Sequence, residues 1–251
     1  MKQPTVLDEL CQPGALRVEF QPIVRVLAGG VRLYAFEALT RGPRGTTMER
    51  PDVLFEYARR KGCEMQVDLL CIAEALSSAR LLPGQPRISI NVHGSTLGNV
   101  PRFAEVLLAS ALAHGIGPDR LMVEVVEHRA PWGMEPFRAA LQVLRSAGVR
   151  IAIDDLGVGA SNYHLFIEVR PDHVKIDRYV VNGCSGDAYR RAVLHSIVTL
   201  SRDCGAVPIA EGVENEADLA AVREAGIDCV QGFLYSKSMP AAAIAAAPFF
   251  D

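Results

Sequence analysis

The chain has 251 residues, and its 26 Lys and Arg against 29 Asp and Glu give a formal net charge of −3. This mildly acidic balance argues against a general binder of polymeric nucleic acid, which would carry a basic excess. Hydrophobic residues make up 49% of the chain and charged residues 22%, which excludes a disordered protein. A chain of this length can form one barrel-sized domain with a large core and no disulfides.

No apolar run approaches the roughly 20 residues of a membrane span. The longest candidate, residues 241–250, is short and contains Pro248. The first ten residues include Lys2, Asp8 and Glu9 and lack the apolar segment of a signal peptide. The cysteines form no C-x-x-C pair, which is typical of a reduced protein. We therefore predict a cytoplasmic protein that does not associate with membranes.

Eight strand-like runs follow one another along the chain. They cover residues 17–24, 31–39, 87–92, 121–126, 150–154, 173–177, 207–212 and 229–233. Ala28-Gly29-Gly30 between the first two runs predicts a hairpin, and hence one antiparallel pair.

Amphipathic helical patterns fill the later gaps. They cover residues 51–61, 64–82, 102–114, 135–147, 187–204 and 216–225. Repeated strand–helix alternation predicts a parallel sheet, and eight strands in this length favour a closed (β/α)8 barrel. We divide the chain into an N-terminal lead-in, residues 1–16, and one domain, residues 17–251.

Polar residues end seven consecutive strand-like runs. They are Glu37, Asn91, Glu124, Asp154 with Asp155, Lys175, Glu211 and Gln231. In a barrel these strand ends meet at one face, where several carboxylates would repel one another unless cations neutralise them. Carboxylate and amide oxygens suit Mg²⁺ or Mn²⁺, and a pair of such ions is a known device for cleaving phosphoesters.

A single acid at a strand end is usually a solvated residue or a helix N-cap. The adjacent pair Asp154-Asp155, followed by Gly157, is compatible with a simple turn. Seven polar strand ends in succession are much harder to explain in this way, and we therefore predict a metal site with two ions.

These residues resemble the EAL domain family, the cyclic di-GMP phosphodiesterases of bacterial signalling. The naming motif is Glu37-Ala38-Leu39, and a second such tripeptide, Glu74-Ala75-Leu76, lies in a helical pattern and is attributed to chance. The other motifs follow in family order over residues 17–240. They are Phe20-Gln21-Pro22-Ile23-Val24, Ser89-Ile90-Asn91-Val92, Glu124-Val125-Val126-Glu127, Asp154-Asp155-Leu156-Gly157-Val158-Gly159, Val174-Lys175-Ile176-Asp177, Ala210-Glu211-Gly212-Val213-Glu214 and Gln231-Gly232-Phe233.

The resemblance implies a modified TIM barrel, an α/β fold with one antiparallel strand, and hydrolysis of cyclic di-GMP to linear pGpG. It implies the following roles. Glu37, Asn91, Glu124 and Asp154 hold one ion, whereas Asp154, Asp155 and Glu211 serve the second ion or its water. Lys175 orients the nucleophilic water, and Glu211 is also a candidate general base.

The resemblance also implies roles around this set: Arg41 contacts phosphate, and Gln231 contacts metal-bound water or the phosphate region. Glu127 and Glu214 support the site from outside the ligand set, with Glu127 steadying the loop after Asp155. That loop and a neighbouring helix imply a homodimer.

The sequence departs from the family pattern near the site. Gly42 stands where many members carry tryptophan, and Leu156, Val158 and Ala160 stand where members often carry Phe, Thr and Tyr. These changes remove no metal ligand, but they bear on loop order, dimer contacts and turnover. An alternative function is therefore a weak or inactive cyclic di-GMP receptor. The complete set of ligand residues favours the enzyme. An enolase-type barrel would need a separate capping domain, for which the chain has no room.

Overall fold

The computed structural model describes residues 6–12, 14–126, 133–156, 163–244 and 246. Within these ranges, eight strands close into a barrel in chain order. They are β1 Arg17–Leu27, β2 Gly30–Arg41, β3 Ile88–His93, β4 Leu121–Val126, β5 Arg150–Leu156, β6 His173–Ile176, β7 Val207–Ala210 and β8 Cys229–Val230. The prediction of a closed α/β barrel is confirmed.

Strand β1 runs antiparallel to both of its neighbours, β2 and β8. Every other neighbouring pair in the barrel is parallel. The β1–β2 hairpin turns through Ala28 and Gly29, and Gly30, the first residue of β2, adopts a φ of 147° that favours glycine. The predicted hairpin and the single antiparallel strand are therefore confirmed.

Helices cover the outside of the barrel. They are α1 Val6–Leu10, α2 Pro51–Arg60, α3 Glu64–Ala79, α4 Gly94–Asn99, α5 Phe103–Ala113, α6 Met134–Ser146, α7 Tyr163–Val169, α8 Arg178–Val181, α9 Ala188–Asp203, α10 Glu216–Glu224 and α11 Ala241–Ile244. All six predicted helices are present. Among the described residues, no helix is long and apolar enough to cross a bilayer.

Helix α4 was missed by the sequence analysis because its local signal is weak. Its sequence is Gly-Ser-Thr-Leu-Gly-Asn, and glycine is a poor helix former. Five of its six residues are buried, so tertiary packing rather than intrinsic propensity accounts for this helix.

Side chains alternate between the two faces of each strand. Outward residues such as Phe20, Phe36 and Val123 are buried in the main core together with helix residues. The barrel interior has an apolar middle layer, formed by Ile23, Ala35, Met122, Ala152, Ile209 and Cys229. Polar residues lie inside the barrel on both sides of this layer.

The N-terminal segment contacts the helices. Leu10 and Leu16 are buried in a smaller cluster with Leu54 and Ala58 of α2 and Val67 of α3. The division into a lead-in of residues 1–16 and a domain of residues 17–251 stays a prediction.

Asp218, in the first turn of α10, is a buried carboxylate that ties this helix to the turn after α8. It accepts hydrogen bonds from the backbone N–H groups of Gly183 at 2.9 Å and Ser185 at 3.0 Å. Asn215 caps α10, because its side chain accepts from the Asp218 N–H at 2.9 Å. Although burial raises the pKa of Asp218, these donors lower it to about 2.

We expect Asp218→Asn to lower the free energy of unfolding by about 1–3 kcal/mol near pH 7, because an amide cannot accept from both N–H groups as a carboxylate does. The lowered pKa means that the carboxylate stabilises the fold above about pH 4 and loses this effect as the pH falls toward about 2. The deficit of the variant should therefore shrink between pH 5 and pH 3 in denaturation experiments. Asp203→Asn, at the exposed end of α9, is the control, and a deficit that stays constant to pH 3 would contradict this account.

Candidate active site

Four buried or half-buried carboxylates surround one lysine at the C-terminal end of the barrel. The Lys175 Nζ atom lies 2.5 Å from Glu124 Oε1 and 2.5 Å from Glu211 Oε1. It also lies 3.2 Å from Glu37 Oε2 and 3.6 Å from Asp154 Oδ1. Lys175 is 1% exposed. Residues from β2, β4, β5 and β6, and from the segment after β7, therefore meet at one point. We call Glu37, Glu124, Asp154, Asp155 and Glu211 the acidic cluster.

The acids lie within strands more often than the sequence analysis suggested. Glu37 precedes the end of β2 by four residues, because β2 continues to Arg41. Asn91 and Glu124 each lie two residues before the end of their strands. The predicted end of β2 at residue 39 was two residues too early and that of β3 at residue 92 one residue too early, whereas β4 ends at residue 126 as predicted. Glu37 and Glu124 are paired with neighbouring strands on both sides, and Asn91 is paired with Glu124 of β4, which fixes the backbone under these side chains.

Hydrogen bonds orient the carboxylates further. Asn91 Nδ2 donates to Glu37 Oε1 at 3.1 Å, and Gln231 Nε2 donates to Glu37 Oε2 at 2.6 Å. Ser89 Oγ donates to Glu124 Oε2 at 3.0 Å. Gln231 also donates to Gln21 Oε1 at 3.0 Å, which joins β8 to β1. Ser89 and Gln21 have no role in the sequence analysis, although Ser89 shares the inward face of β3 with Asn91 and Gln21 pairs with Glu37 of β2.

Asp154 and Asp155 approach the same region although adjacent strand residues normally point to opposite faces. The register of β5 with β6 shifts between Ile153 and Leu156, and Asp155 has a φ of 54°. A left-handed conformation is unfavourable for most residues other than glycine and is found preferentially at functional sites. This local irregularity brings both carboxylates toward Glu211.

The electrostatics of the acidic cluster favour cation binding. Burial, followed by the charge of Glu37, raises the pKa of Glu124 well above its usual value, and burial does the same for Glu211. Burial and the neighbouring Asp154 raise the pKa of Asp155 to about 7. Burial opposes the charge of Lys175, yet the surrounding carboxylates raise its pKa well above the usual value. Lys175 therefore stays charged, and it balances only part of the negative charge.

Glu37 differs from the other two buried glutamates. Burial would raise its pKa, but Lys175 and the hydrogen bonds from Gln231 and Asn91 lower it. Glu37 is therefore held as a carboxylate.

Two groups of carboxylates could hold metal ions. Ligand atoms of Glu37, Glu124 and Glu211 lie within 4.8 Å of one another, and so do those of Asp154, Asp155 and Glu211. The second group is the one that the resemblance implies for the second ion, whereas the first contains Glu211 in place of Asp154. Asp154 Oδ1 is buried without a hydrogen-bond partner. This oxygen has only the longer 3.6 Å ion pair with Lys175, and such an oxygen among other carboxylate oxygens fits a hard divalent cation such as Mg²⁺ or Mn²⁺.

Two cavities adjoin the acidic cluster, and Glu37 and Asp154 line both. The smaller, of about 250 Å³, extends toward Asp177 and Phe233. The larger, of about 470 Å³, extends between β2, β3, α2 and α3 and is mainly apolar. Asp177 was not predicted as a site residue, although it lines the smaller cavity and helps to raise the pKa of Asp155.

Three predicted residues lie at the edge of the site or beyond it. Arg41 forms an ion pair with Glu19 at 3.0 Å and donates to Ser238 Oγ at 2.8 Å, and it lines neither cavity. Glu214 is exposed and lines the smaller cavity. Glu127 lies outside the described residues, as do Val158 and Ala160 of the loop after Asp155.

The backbone around position 42 leaves no room for a side chain, which explains why glycine stands there. A Cβ atom at this position would lie 2.0 Å from the carbonyl oxygen of Met48, because the short 3-10 helix Thr47–Glu49 folds against it. The Gly42 N–H donates to the Glu49 carbonyl at 3.3 Å, and Arg17 pairs with the Glu49 side chain at 2.6 Å. The departure from the family tryptophan is thus accompanied by a tightly packed connection after β2.

We expect Gly42→Ala to displace this connection and to lower the melting temperature by several degrees, as an overpacked position costs about 1–3 kcal/mol. Gly45→Ala is a poor control because Gly45 has a φ of 73°, whereas Gly29→Ala has open space and an ordinary φ. An equal melting temperature for Gly42→Ala and Gly29→Ala would contradict the expectation.

The family model of the EAL domain matches residues 5–238. The chain belongs to the EAL domain family. Curated EAL relatives include the blue light- and temperature-regulated antirepressor BluF of Escherichia coli strain K12, which is 29% identical over 87% of this chain and 53% of the relative. The cyclic di-GMP phosphodiesterase NbdA of Pseudomonas aeruginosa is 29% identical over 95% of this chain and 31% of its own length. The chain thus spans about half or less of these relatives.

Solved structures of EAL proteins share the fold. Klebsiella pneumoniae BlrP1, in its calcium and cyclic di-GMP complex, aligns with a TM-score of 0.80 and 31% identity over 96% of this chain and 59% of that one. A standalone EAL protein from Vibrio cholerae O395 with cyclic di-GMP bound aligns with a TM-score of 0.77 over 90% of this chain and 93% of that one. Its 24% identity supports a likeness of fold only.

Proposed function

We propose that this chain hydrolyses cyclic di-GMP to linear pGpG with the help of divalent cations, Mg²⁺ or Mn²⁺. The observation that carries the proposal is the acidic cluster around Lys175, in which two groups of carboxylates are close enough to share ions. The match to the EAL family, whose relatives include proteins named cyclic di-GMP phosphodiesterases, supports the choice of substrate.

In this proposal Glu37, Asn91, Glu124 and Asp154 hold one ion, and Asp154, Asp155 and Glu211 hold the other. Asn91 donates through Nδ2 to Glu37, which leaves its amide oxygen for an ion. When bound, such ions neutralise phosphate charge and lower the pKa of a bound water.

The side chains of the chain itself orient the reactants. Lys175 is a buried and charged donor, and its three N–H groups can position a water molecule within the acidic cluster. Burial raises the pKa of Glu211 well above its usual value, so its carboxylate accepts a proton more readily than an ordinary glutamate does. Glu37, Lys175 and Glu211 are therefore the proposed catalytic residues.

The two cavities on either side of Glu37 and Asp154 suit a substrate with two halves. We place one nucleoside in the larger cavity, where Phe55 and Ile72 offer apolar contacts. The other lies toward Phe233 and Gln231 in the smaller cavity. Arg41 would contact phosphate after it leaves its ion pair with Glu19, and Glu127 and Glu214 would support the site from its edge.

Chromatography of cyclic di-GMP incubated with the metal-free chain plus Mg²⁺ or Mn²⁺ tests the proposal. We expect pGpG to appear with either ion and not in excess chelator. Intact substrate in both ions would overturn the proposed hydrolysis.

The second candidate function is a cyclic di-GMP receptor. The observation that favours it is the similarity to BluF, which is named as an antirepressor and not as an enzyme. Ca²⁺ is expected to support binding without turnover. Saturable binding of cyclic di-GMP in Ca²⁺, together with intact substrate in Mg²⁺ and Mn²⁺, would identify a receptor instead of an enzyme.

The proposed assembly is a homodimer formed through the loop after Asp155 and a neighbouring helix. Residues 157–162 of that loop lie outside the described residues, and the proposal rests on the family resemblance. Light scattering at working concentration is expected to give twice the 27.2 kDa chain mass. A monomeric mass would contradict it.

A further inference from the structure

Three arginines face the interior at the N-terminal end of the barrel, on the opposite side of the apolar middle layer from the acidic cluster. Arg25 of β1 and Arg150 of β5 each lie two residues from a middle-layer residue, Ile23 and Ala152. Arg87 directly precedes β3 and lies two residues before Ser89, which faces Glu124. Because strand residues two apart share a face, all three arginines belong to the inward face of their strands at this end, and Arg150 lies at its rim with a side chain that is 54% exposed.

A hydrogen bond crosses the barrel among these arginines. The Tyr34 hydroxyl of β2 and His173 Nε2 of β6 are 2.5 Å apart. Tyr34 occupies a bulge, since Ile23 pairs with Ala35 and Val24 with Leu33. The extra residue allows Tyr34 to pack against the middle layer. The guanidinium of Arg25 lies 4.8 Å from the centre of the Tyr34 ring, and that of Arg87 lies 5.2 Å away.

Two buried nitrogen atoms in this group have no hydrogen-bond partner. They are Arg87 Nε and His173 Nδ1, and His173 is only 3% exposed. In the tautomer in which Nε2 accepts from the Tyr34 hydroxyl, Nδ1 carries the proton and is a donor. Burial, together with the charges of all three arginines, keeps the ring neutral, since its pKa falls to about 4.

Nearby carboxylates neutralise only part of the positive charge. Asp172 lies 3.2 Å from Arg150 and also accepts from the Ile151 N–H at 2.9 Å. Asp228 lies 3.8 Å from Arg223, and its charge raises the pKa of Arg25 less than the other neighbours do. In the described ranges, Arg87 has no carboxylate within ion-pair distance. The N-terminal face of such a barrel ordinarily serves stability, yet unneutralised arginines repel one another and do not serve that purpose.

We propose that Arg25, Arg87, Arg150 and His173 form a second binding site, which takes a phosphate-type oxyanion at the N-terminal end of the barrel. Guanidinium groups bind such oxygens through charge-assisted hydrogen bonds, and the N–H of His173 adds a neutral donor. The anion would satisfy both unpartnered donors and offset the repulsion between the arginines. The ligand is either free phosphate or the phosphate of a nucleotide. This site is independent of the proposed hydrolysis.

Calorimetric titration of the metal-free chain tests the site, with chelator present so that the acidic cluster holds no ions. One arm uses inorganic phosphate and the other a nucleoside 5′-monophosphate, both at constant ionic strength in chloride. We expect saturable binding that Arg87→Gln weakens about tenfold, in keeping with the loss of a charged hydrogen bond. Arg80→Gln, at the exposed end of α3, and Glu37→Gln are expected to bind like the unaltered chain.

Tighter binding of the monophosphate than of phosphate would assign the site to a nucleotide, and equal binding would assign it to free phosphate. Equal affinity in Arg87→Gln and the unaltered chain, or no saturable binding in either arm, would overturn the proposal. Circular dichroism checks that Arg87→Gln is folded, and Arg25→Gln replaces it if it is not. Nitrogen NMR of His173 gives a further signal, since a bound anion should shift Nδ1 and raise the pKa of the ring.

Discussion

Glu37→Gln is expected to lower the rate of cyclic di-GMP hydrolysis by about a hundredfold or more. The substitution keeps the size of the side chain but removes a charge from the carboxylates that lie within 4.8 Å of one another. Stabilisation of charge by a bound ion is worth several kcal/mol, and about 1.4 kcal/mol corresponds to a factor of ten in rate. Steady-state kinetics at saturating Mn²⁺ measure the change.

Glu74→Gln is the matched control, because Glu74 belongs to the second Glu-Ala-Leu tripeptide and lies within α3. Its carboxylate accepts from Ser78 Oγ at 2.9 Å, one turn along the same helix. We expect this variant to hydrolyse at the unaltered rate. Equal rates of hydrolysis for Glu37→Gln and the unaltered chain would contradict the proposed role of Glu37 as a metal ligand.

Lys175→Met is expected to lower hydrolysis by about a hundredfold or more while Mn²⁺ binding is kept. Lys175 is proposed to position the attacking water, and misplacement of a reacting group by about 1 Å can cost about a hundredfold in rate. Lys175 is not a metal ligand, and its ammonium competes with cations for Glu124 and Glu211, so its removal should not weaken the binding of ions. Parallel measurements of turnover and Mn²⁺ affinity separate the two effects.

The same variant should be less stable without metal. Removal of one partner from a buried ionic group costs about 3–5 kcal/mol, because the remaining charges are uncompensated. The carboxyl groups of Glu124 and Glu211 already have raised pKa values, so protons stabilise the metal-free fold at low pH and this effect is lost as the pH rises. Mn²⁺ should therefore raise the melting temperature of Lys175→Met more at pH 8 than at pH 5.

Lys61→Met, at an exposed lysine that packs over the Tyr57 ring, is the control for Lys175→Met. It should change neither turnover nor Mn²⁺ affinity. If Lys175→Met lost Mn²⁺ binding together with activity, Lys175 would act only by maintaining the fold.

The barrel was predictable because its signal is periodic and local. Apolar runs ended by Asp154-Asp155 or Glu211 show which residues share an edge, and Gly29-Gly30 marks the hairpin. The position of Lys175 among four carboxylates was not predictable in this way, since it depends on contacts between strands far apart in sequence. Arg41 was expected at a phosphate, yet in this structure Glu19 and Ser238 hold it at the barrel edge.

The arginines at the other end of the barrel carry a readable signal. Arg150, Ala152 and Asp154 are two residues apart along one strand and therefore share a face. If Asp154 faces the barrel interior, Arg150 does so as well. The same count leads from Asn91 through Ser89 to Arg87. The Tyr34 bulge could not be counted in this way. Pro22 lies next to the point where the register of β1 and β2 shifts, but a proline in a strand does not show which strand carries the extra residue.

Anomalous diffraction from crystals grown with Mn²⁺ tests the central claim most directly, since it shows both the number of bound ions and their ligands. The account predicts two Mn²⁺ peaks at the C-terminal end of the barrel, one beside Glu37 and Glu124 and the other beside Asp155 and Glu211. Hydrolysis of cyclic di-GMP by the same Mn²⁺-loaded protein, with no peak at these carboxylates, would contradict the account.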